Sequence, residues 1–386
     1  MHILKLTHTY PNAFDKVQGV FVEDQVKSLR KFLDKVGVIA VIPISLKRFK
    51  LKKRLHSGNK STLEDGLTTI HTYYNIPSYP KYCVNVSLSK GYSIFLDYIA
   101  KHGLPDIIHV HRYESAALAI KIRDNYQIPY VITEHSSFFL RGVLPKTMTN
   151  VAKNAFLQSS CNIAVSEVFA NVLNKKYGVN FNYIPNSVDT DFFSLKPRYK
   201  DRSSSVVFFN VASLNKNKNH ELMIRSFADF NQKVKDSKLI IAGDGELKNE
   251  LNQLIVDLGL ANNVFLVGRL SRTEILSQLH QCDVFLLSST FETFGIVLIE
   301  ALSTGTPVLS TKCGGAESMV IHSGLGMLVN STPKEYSNGL AKMYKKNEGL
   351  SNEYNAENIR AYAISNFSEE IVAKKLIGVY KKVVDL

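Results

Sequence analysis

Cysteine is scarce in this chain: among 386 residues there are four, Cys83, Cys161, Cys282 and Cys313, far apart and with no C-x-x-C pair. That spacing argues against a zinc knuckle and a disulfide framework, and the four read as buried thiols. Long apolar runs are also missing. The longest, Val36 to Leu46, is interrupted by Pro43 and falls short of the ~20 residues that a membrane-spanning helix needs. The first residues, MHILKLTHTY, place a base inside a short apolar run and offer no small-residue cleavage site. They read as a first strand rather than a signal peptide, and the cytosol is the expected location. No G-x-G-x-x-G follows a strand, which leaves a nicotinamide-type dinucleotide fold without support. There is no tandem repeat or low-complexity segment. With 45% hydrophobic and 21% charged residues, 21 Gly and 11 Pro, disordered and collagen-like classes are excluded. The length predicts two domains or one unusually large one.

Acidic residues are the minority, and their deficit is uneven. Residues 1–195 hold 24 Lys/Arg against 14 Asp/Glu, net +10, whereas 196–386 hold 23 against 20, net +3. Much of the excess is one run, LKRFKLKKR from Leu46 to Arg54, with Lys47, Arg48, Lys50, Lys52, Lys53 and Arg54 interleaved with apolar residues. It reads as a solvated loop, as a contact for anionic lipid headgroups or, least favoured, as a nucleic-acid contact. Charge alone does not choose among these.

What is present is alternation. Ile3 to Thr7 reads as a strand, Val20 to Leu33 as an amphipathic helix through Val22, Val26, Leu29 and Leu33, and Val38 to Ile44 as a second strand. The pattern resumes with IIHVH, a helix from Ser115, YVITEH, NIAVS and a helix from Glu167 to Tyr177. The second half repeats it from VVFFNVA through LIIAG, NVFLVG and DVFLLS to PVLS. Such alternation implies two parallel sheets covered by helices. The Pro-, Asn- and Ser-rich stretch after Tyr183 reads as the linker, with the boundary near Pro197, giving domains of 1–197 and 198–366. A last helix, 367–386, with Ile371, Lys375, Val379 and Val383 on one stripe, is expected to pack back on the first domain.

In parallel α/β sheets ligands bind at the carboxyl ends of strands, and four turns of the second half stand out there. The first, ASLNKNKNH, brings Lys216 and Lys218 to a helix capped by Asn219, a place suited to an anion. In the second, Gly243 and Gly245 permit a tight corner. The third is the most specific: Glu292 and Gly295 lie in a turn, and Glu300 follows within the apolar helix IVLIEAL. A carboxylate on a buried face is costly unless it is satisfied, and helical rise over eight residues would put the two acids up to ~12 Å apart. That span suits a grip on two ends of one hydroxylated ligand. The fourth brings Gly314 and Gly315 after the next strand.

These residues resemble the retaining glycosyltransferases of family 4, whose fold is GT-B: α/β, two Rossmann-like domains with parallel sheets facing across a cleft. The resemblance rests on Glu292 and Glu300 with seven residues between them within FETFGIVLIEAL, on LIIAGDGEL and VGRL, on IPNSVD, and on PDIIHVH and TEH in the first half. It implies transfer of a hexose-type sugar from a nucleoside-diphosphate sugar, with retention of anomeric configuration. It further implies Lys218 on the diphosphate, Glu292 on sugar hydroxyls, Glu300 on the ribose, and backbone N–H groups of Phe294 and Gly295 on sugar or diphosphate. His135, at the end of YVITEH, would meet the donor sugar, and Gly19 would let backbone approach donor and acceptor. Gly243, Gly268 and Arg269 complete the implied donor site. Where the family has Gly-Arg-Leu, this chain has Ala212-Ser213-Leu214, so either Ser213 supplies a neutral hydrogen bond or Lys216 compensates. No metal or cofactor is expected: Asp189, Thr190 and Asp191 read as a turn, and His109 with His111 lacks a third ligand. The acceptor, a glycan carried on lipid in surface polysaccharide synthesis, is expected on the first domain, with the basic run at the inner face of a membrane and no nucleic-acid partner. A non-catalytic partner subunit and a sugar-nucleotide hydrolase or epimerase on the same fold remain as competing readings.

Overall fold

The computed structural model describes residues 1–12, 18–45, 60–64, 67–76, 83–195, 205–345, 349–351 and 353–385. The basic run from Lys47 to Arg54 lies outside them. The chain divides into two compact units, Met1–Ser187 with Glu369–Leu386, and Val188–Ser368.

The first unit contains β1 (His2–Thr7), α1 (Val20–Arg30), β2 (Lys35–Ser45), β3 (Lys60–Glu64), β4 (Leu67–Ile76), α2 (Cys83–His102), β5 (Ile107–His111), α3 (Ala116–Tyr126), β6 (Tyr130–Glu134), α4 (Lys146–Gln158), β7 (Cys161–Ala164), α5 (Glu167–Tyr177) and β8 (Phe181–Tyr183). The strands form one sheet in the order β3-β4-β2-β1-β5-β6-β7-β8, parallel except for the antiparallel edge pair β3–β4. Because β1 and β5 lie in the middle and are covered on both faces, they are buried almost throughout. Val22, Val26 and Leu29 of α1 pack on the sheet, and Leu33 is buried just past the helix end.

The second unit contains β9 (Val206–Val211), α6 (His220–Lys233), β10 (Ser237–Ala242), α7 (Lys248–Asp257), β11 (Val264–Gly268), α8 (Arg272–Gln281), β12 (Val284–Leu287), α9 (Ile296–Ser303), β13 (Val308–Thr311), β14 (Gly326–Val329), α10 (Pro333–Met343), the short pair β15 (Tyr344–Lys345) and β16 (Gly349–Leu350), and α11 (Ala356–Phe367). Its main sheet runs β11-β10-β9-β12-β13-β14 and is parallel throughout. Phe208, Met223, Phe227, Phe230, Leu239 and Tyr336 belong to its core. The final helix, α12 (Glu369–Val384), belongs to the first unit.

The unit boundary falls ahead of the expected Pro197. Val188 bridges to Ser368, and Arg360 donates to the carbonyls of Thr190, Phe193 and Ser303 at 2.8, 2.8 and 2.6 Å. These bonds bind the start of the supposed linker into the second unit. The Asp189 carboxylate accepts from the backbone of Asp191 and Phe192 at 3.2 and 2.9 Å, which makes that triplet a turn. On α12 the buried stripe is Val372, Ala373, Leu376, Tyr380 and Val383, and Lys375, placed on the stripe by sequence, is exposed. The four cysteines are not uniformly buried thiols: Cys282 and Cys313 are buried, but Cys161 is half-exposed.

Candidate functional site

At the carboxyl end of β9 the chain leaves the sheet through Ala212, Ser213 and Leu214. The Asn215 side chain then accepts from the Lys218 backbone at 3.3 Å, capping a single 3-10 turn over Lys216–Lys218. Asn219 follows at φ 48° and begins α6 without donating or accepting a side-chain cap. The expected side-chain cap at Asn219 is therefore absent: Asn215 caps only the 3-10 turn, and Asn219 serves by tolerating the left-handed backbone that joins the turn to α6.

That turn is tied to the loop after β12. Asn217 accepts from Thr290 N at 2.8 Å and donates to Phe291 O at 3.0 Å, while Ser288 Oγ donates to Lys218 O at 2.8 Å. The loop after β13 joins through Glu292 N, which donates to Cys313 O at 2.8 Å, and through Thr311 Oγ1, which donates to Ser289 O at 2.6 Å. These bonds bring Lys218 Nζ onto Glu292 Oε1, which also accepts from Ser289 Oγ at 2.7 Å. Lys218 and Glu292 retain 24% and 14% of their side-chain exposure, so the pair is partly desolvated yet reachable. Burial, with the Glu292 charge beside it, pushes the Cys313 thiol up to about 11.

Gly295 precedes α9 at φ 100°, and a Cβ at Gly315 would stand 2.2 Å from Phe294 O. The two loops thus meet backbone to backbone. The Phe294 side chain is buried against Phe367. Because only Ile296–Ser303 is helical, the helical spacing used for Glu292 and Glu300 does not apply: Glu292 lies in the loop. Glu300 is half-exposed at the edge of the face that buries Leu298, Ile299, Ala301 and Leu302. The Ser213, Lys216 and Arg269 side chains are exposed, with no hydrogen-bond or ionic partner among the described residues, although the Ser213 carbonyl accepts from Asn215 N at 2.9 Å. Gly243 is engaged in packing: a Cβ there would lie 1.8 Å from Ala212 O, and its N–H donates to Gly268 O at 2.7 Å.

His135 and Gly19 belong to the first unit. Gly19 begins α1 at φ 76°, where a Cβ would stand 2.4 Å from Thr9 O. His135 is partly exposed, with its ring 4.6 Å from that of Phe21 and its Nε2 3.0 Å from His111 Nδ1. Burial, reinforced by the charges of Arg112 and Lys5, pushes its pKa down to about 3. His109 is taken by Tyr380 OH and Thr133 Oγ1 at 2.6 and 2.7 Å, so the His109–His111 pair is absorbed by side chains rather than poised as ligands.

Several buried polar groups were given no role from the sequence. Glu134 accepts from the backbones of Tyr113, His135 and Ser136 at 3.0, 2.9 and 2.8 Å and anchors the turn that carries His135. Burial and Glu114 raise it to about 7 despite those bonds. Arg112, at φ 68°, pairs with the buried Glu114 at 2.7 Å. Lys5 is fully buried in β1. The available signal was the same for Lys5 and Glu134: a charge inside an apolar strand run.

Residues 192–363 match the family described as glycosyl transferases group 1, and residues 51–192 match glycosyltransferase family 4. An uncharacterized glycosyltransferase of Methanocaldococcus jannaschii is 43% identical over 109 residues, 28% of this chain and only 26% of that protein. N-acetyl-alpha-D-glucosaminyl L-malate synthase of Bacillus anthracis is 26% identical over 266 residues, 66% of this chain and 68% of that protein. Among solved structures, sucrose-phosphate synthase from Thermosynechococcus elongatus matches with TM-score 0.80 at 18% identity, covering 100% of both chains. HepE of Anabaena, solved in complex with UDP, matches with TM-score 0.74 at 19% identity over 99% of this chain and 100% of that one. The two parallel sheets follow one another as the two family matches do, and the chain belongs to the family 4 glycosyltransferases of the GT-B fold.

Proposed function

We propose that this protein transfers a sugar from a nucleoside-diphosphate sugar to a glycan acceptor with retention of anomeric configuration. The observation that carries the reading is the Lys218–Glu292 pair, held at the carboxyl ends of β9 and β12 by three interlocked loops. A cation fixed there meets the departing diphosphate, whose charge grows as the glycosidic bond breaks, so it stabilises the transition state more than the ground state. Glu292 exchanges its hydrogen bonds from Lys218 and Ser289 for bonds from sugar hydroxyls. Glu300 takes the ribose diol, and backbone N–H groups at Phe294 and Gly295 take sugar or diphosphate oxygens. Lys216 and Arg269, exposed cations with no ionic partner among the described residues, stand in for the Arg replaced by Ser213, and side chains rather than a metal neutralise the diphosphate. His135 and Gly19 contribute from the first unit, His135 to the donor sugar.

The acceptor reading is a lipid-linked glycan of a surface polysaccharide, supported by the basic run Lys47–Arg54. Among the described residues no helix is long and apolar enough to cross a membrane, so contact with a bilayer would be peripheral, and sedimentation with anionic liposomes tests it.

The deciding experiment is thermal unfolding with UDP, GDP or ADP, since a ligand at ~100 times its dissociation constant stabilises the native state by ~2.7 kcal/mol. A rise with one nucleotide is expected. No rise with any would favour a non-catalytic partner subunit, the reading that Ser213 in the Arg position supports.

A further inference from the structure

Helix α4 of the first unit carries an exposed stripe that the function above does not use. Lys146, Asn150, Lys153 and Leu157 follow one another at spacings of four, three and four, which puts them on one face of the helix, and all four are exposed. The other side holds Met148, Ala152, Ala155 and Phe156 in the core. Leu157 closes the stripe with 58% of its surface in water, and just ahead of the helix Val143 has 54%. Aliphatic side chains left exposed at both ends of a basic stripe suit a boundary between water and an apolar phase better than water alone.

The turn that leads into α4 is braced. Arg141 N donates to Ser137 O at 3.0 Å and Val143 N to Phe138 O at 3.2 Å. Phe139 is buried against Tyr113 and Tyr177, with ring centroids 5.6 and 5.9 Å away, and Leu144 is buried beside Val143 in sequence. Arg141, Gly142 and Val143 are thereby held at the surface, and a Cβ at Gly142 would meet nothing within 4 Å. The charge has one sign: no Asp or Glu occurs from His135 to Ser166, whereas Arg141, Lys146 and Lys153 do. Lys176 of α5 adds a cation 5.6 Å from the Phe139 ring. At the far end of α4, Arg123 donates to Gln158 O at 2.9 Å and pairs with Asp124 at 2.6 Å, so the acid there is neutralised.

We propose that this face, the Val143 turn with the Lys146–Leu157 stripe of α4, docks on an anionic lipid surface. The bases meet headgroup phosphates, and Val143 and Leu157 enter the boundary beneath them. Single-stranded nucleic acid would call for aromatic platforms among the bases, where this stripe has aliphatic ends. The proposal deepens the peripheral-contact reading above and rests on its anionic bilayer, but it assigns the contact to α4 and its turn rather than to the Lys47–Arg54 run alone. The turn follows β6 directly after His135, so docking here brings the carboxyl end of β6 toward the membrane that would carry a lipid-linked acceptor.

The chain has no tryptophan, which supplies the test. Val143→Trp and Leu157→Trp each give the full chain a single fluorophore at the proposed contact, and Val256→Trp, at a position 62% exposed in the second unit, gives one away from it. The probes are vesicles of phosphatidylcholine with phosphatidylglycerol, with and without bromine on the acyl chains. The first two reporters should shift to shorter wavelength and be quenched by bromine, and the third should do neither. In sedimentation with the same vesicles, Lys146→Gln combined with Lys153→Gln should partition about thirtyfold more weakly, the loss expected for two bases near a charged surface. Protein that stays in the supernatant, equal quenching of all three reporters, or sedimentation that only neutralising Lys47–Arg54 abolishes overturns the proposal. So does a response of the first two reporters to a single-stranded oligonucleotide and not to vesicles, which would assign the bases to nucleic acid. The readout is lipid contact and not turnover, so its failure leaves the sugar-nucleotide reading standing. That reading fails instead on the absence of nucleotide binding.

Discussion

Lys218 and Glu292 form one ion pair, yet removing either should have opposite effects on nucleotide binding. Without Lys218, Glu292 keeps only Ser289 of its two side-chain partners described here and presents uncompensated negative charge where a diphosphate must sit. Lys218→Ala is expected to weaken UDP binding and lower kcat at least about tenfold. Glu292→Gln frees the Lys218 ammonium, so UDP should bind as well or better while sugar transfer falls by a comparable factor. Titration calorimetry with UDP, paired with turnover of UDP-glucose, reads both. Equal weakening of UDP binding in the two variants would mean that the pair is only a strut. The spacing of Glu292 and Glu300 was legible because both are carboxylates in an apolar context. The contact of Lys5 with His111, and of His111 with His135, was not, because its members lie 106 and 24 residues apart and meet only after three strands pair.

Elements carry the next level of constraint, and the glycines that join them are not equivalent. Gly243 and Gly268 both sit at positive φ, 145° and 79°, at the ends of neighbouring strands β10 and β11. A Cβ at Gly243 would collide with Ala212 O at 1.8 Å, whereas one at Gly268 has nothing within 4 Å. Gly268→Ala should therefore cost only backbone strain, about 1–2 kcal/mol. Gly243→Ala adds displacement of the turn that carries Ser213 and Lys216, roughly 1–3 kcal/mol more, and should weaken nucleotide binding as well. Urea unfolding of the two variants compares them, and equal losses would show that the β9 turn yields freely. Most elements were readable because β-rich runs alternate with helical periods. The antiparallel pair β3–β4 was missed: KSTLE and LTTIHTYYNI have no clean alternation of apolar and polar residues. The cap at α6 was misassigned because an Asn at a helix start can serve by its side chain or by its tolerance of left-handed backbone, and Asn219 does the latter while Asn215 caps the preceding 3-10 turn.

Across the whole chain, buried titratable groups are distributed unequally between the units, and this should separate their responses to acid. In the first unit burial lowers His8 to about 4 and His135 to about 3, and holds His109 and His111 well below 6.5. Lys5 is likewise lowered. In the second unit His220 is lowered to about 4 where it hydrogen-bonds Asn210 at 3.1 Å. For each histidine the unfolded chain binds a proton from pH 6.5 downward, whereas the folded one does not until its lowered value is reached. The stability of the neutral ring is therefore present above 6.5 and lost as pH falls. Glu134 acts in the opposite sense: raised to about 7, it favours the fold below 4.5 and loses that contribution as pH rises through 7. Together with His2 and His102, also lowered by burial, these histidines outweigh the raised Glu134 and leave the first unit acid-sensitive on balance. Between pH 6.5 and 4.5 its unfolding midpoint should fall more steeply than that of the second unit, resolving one calorimetric transition into two. Hydrogen exchange then identifies the first to open, with β1 and β5 expected to lose protection before β9 and β12. Parallel shifts of both units would mean that the histidines of the first unit take up their protons without opening the fold.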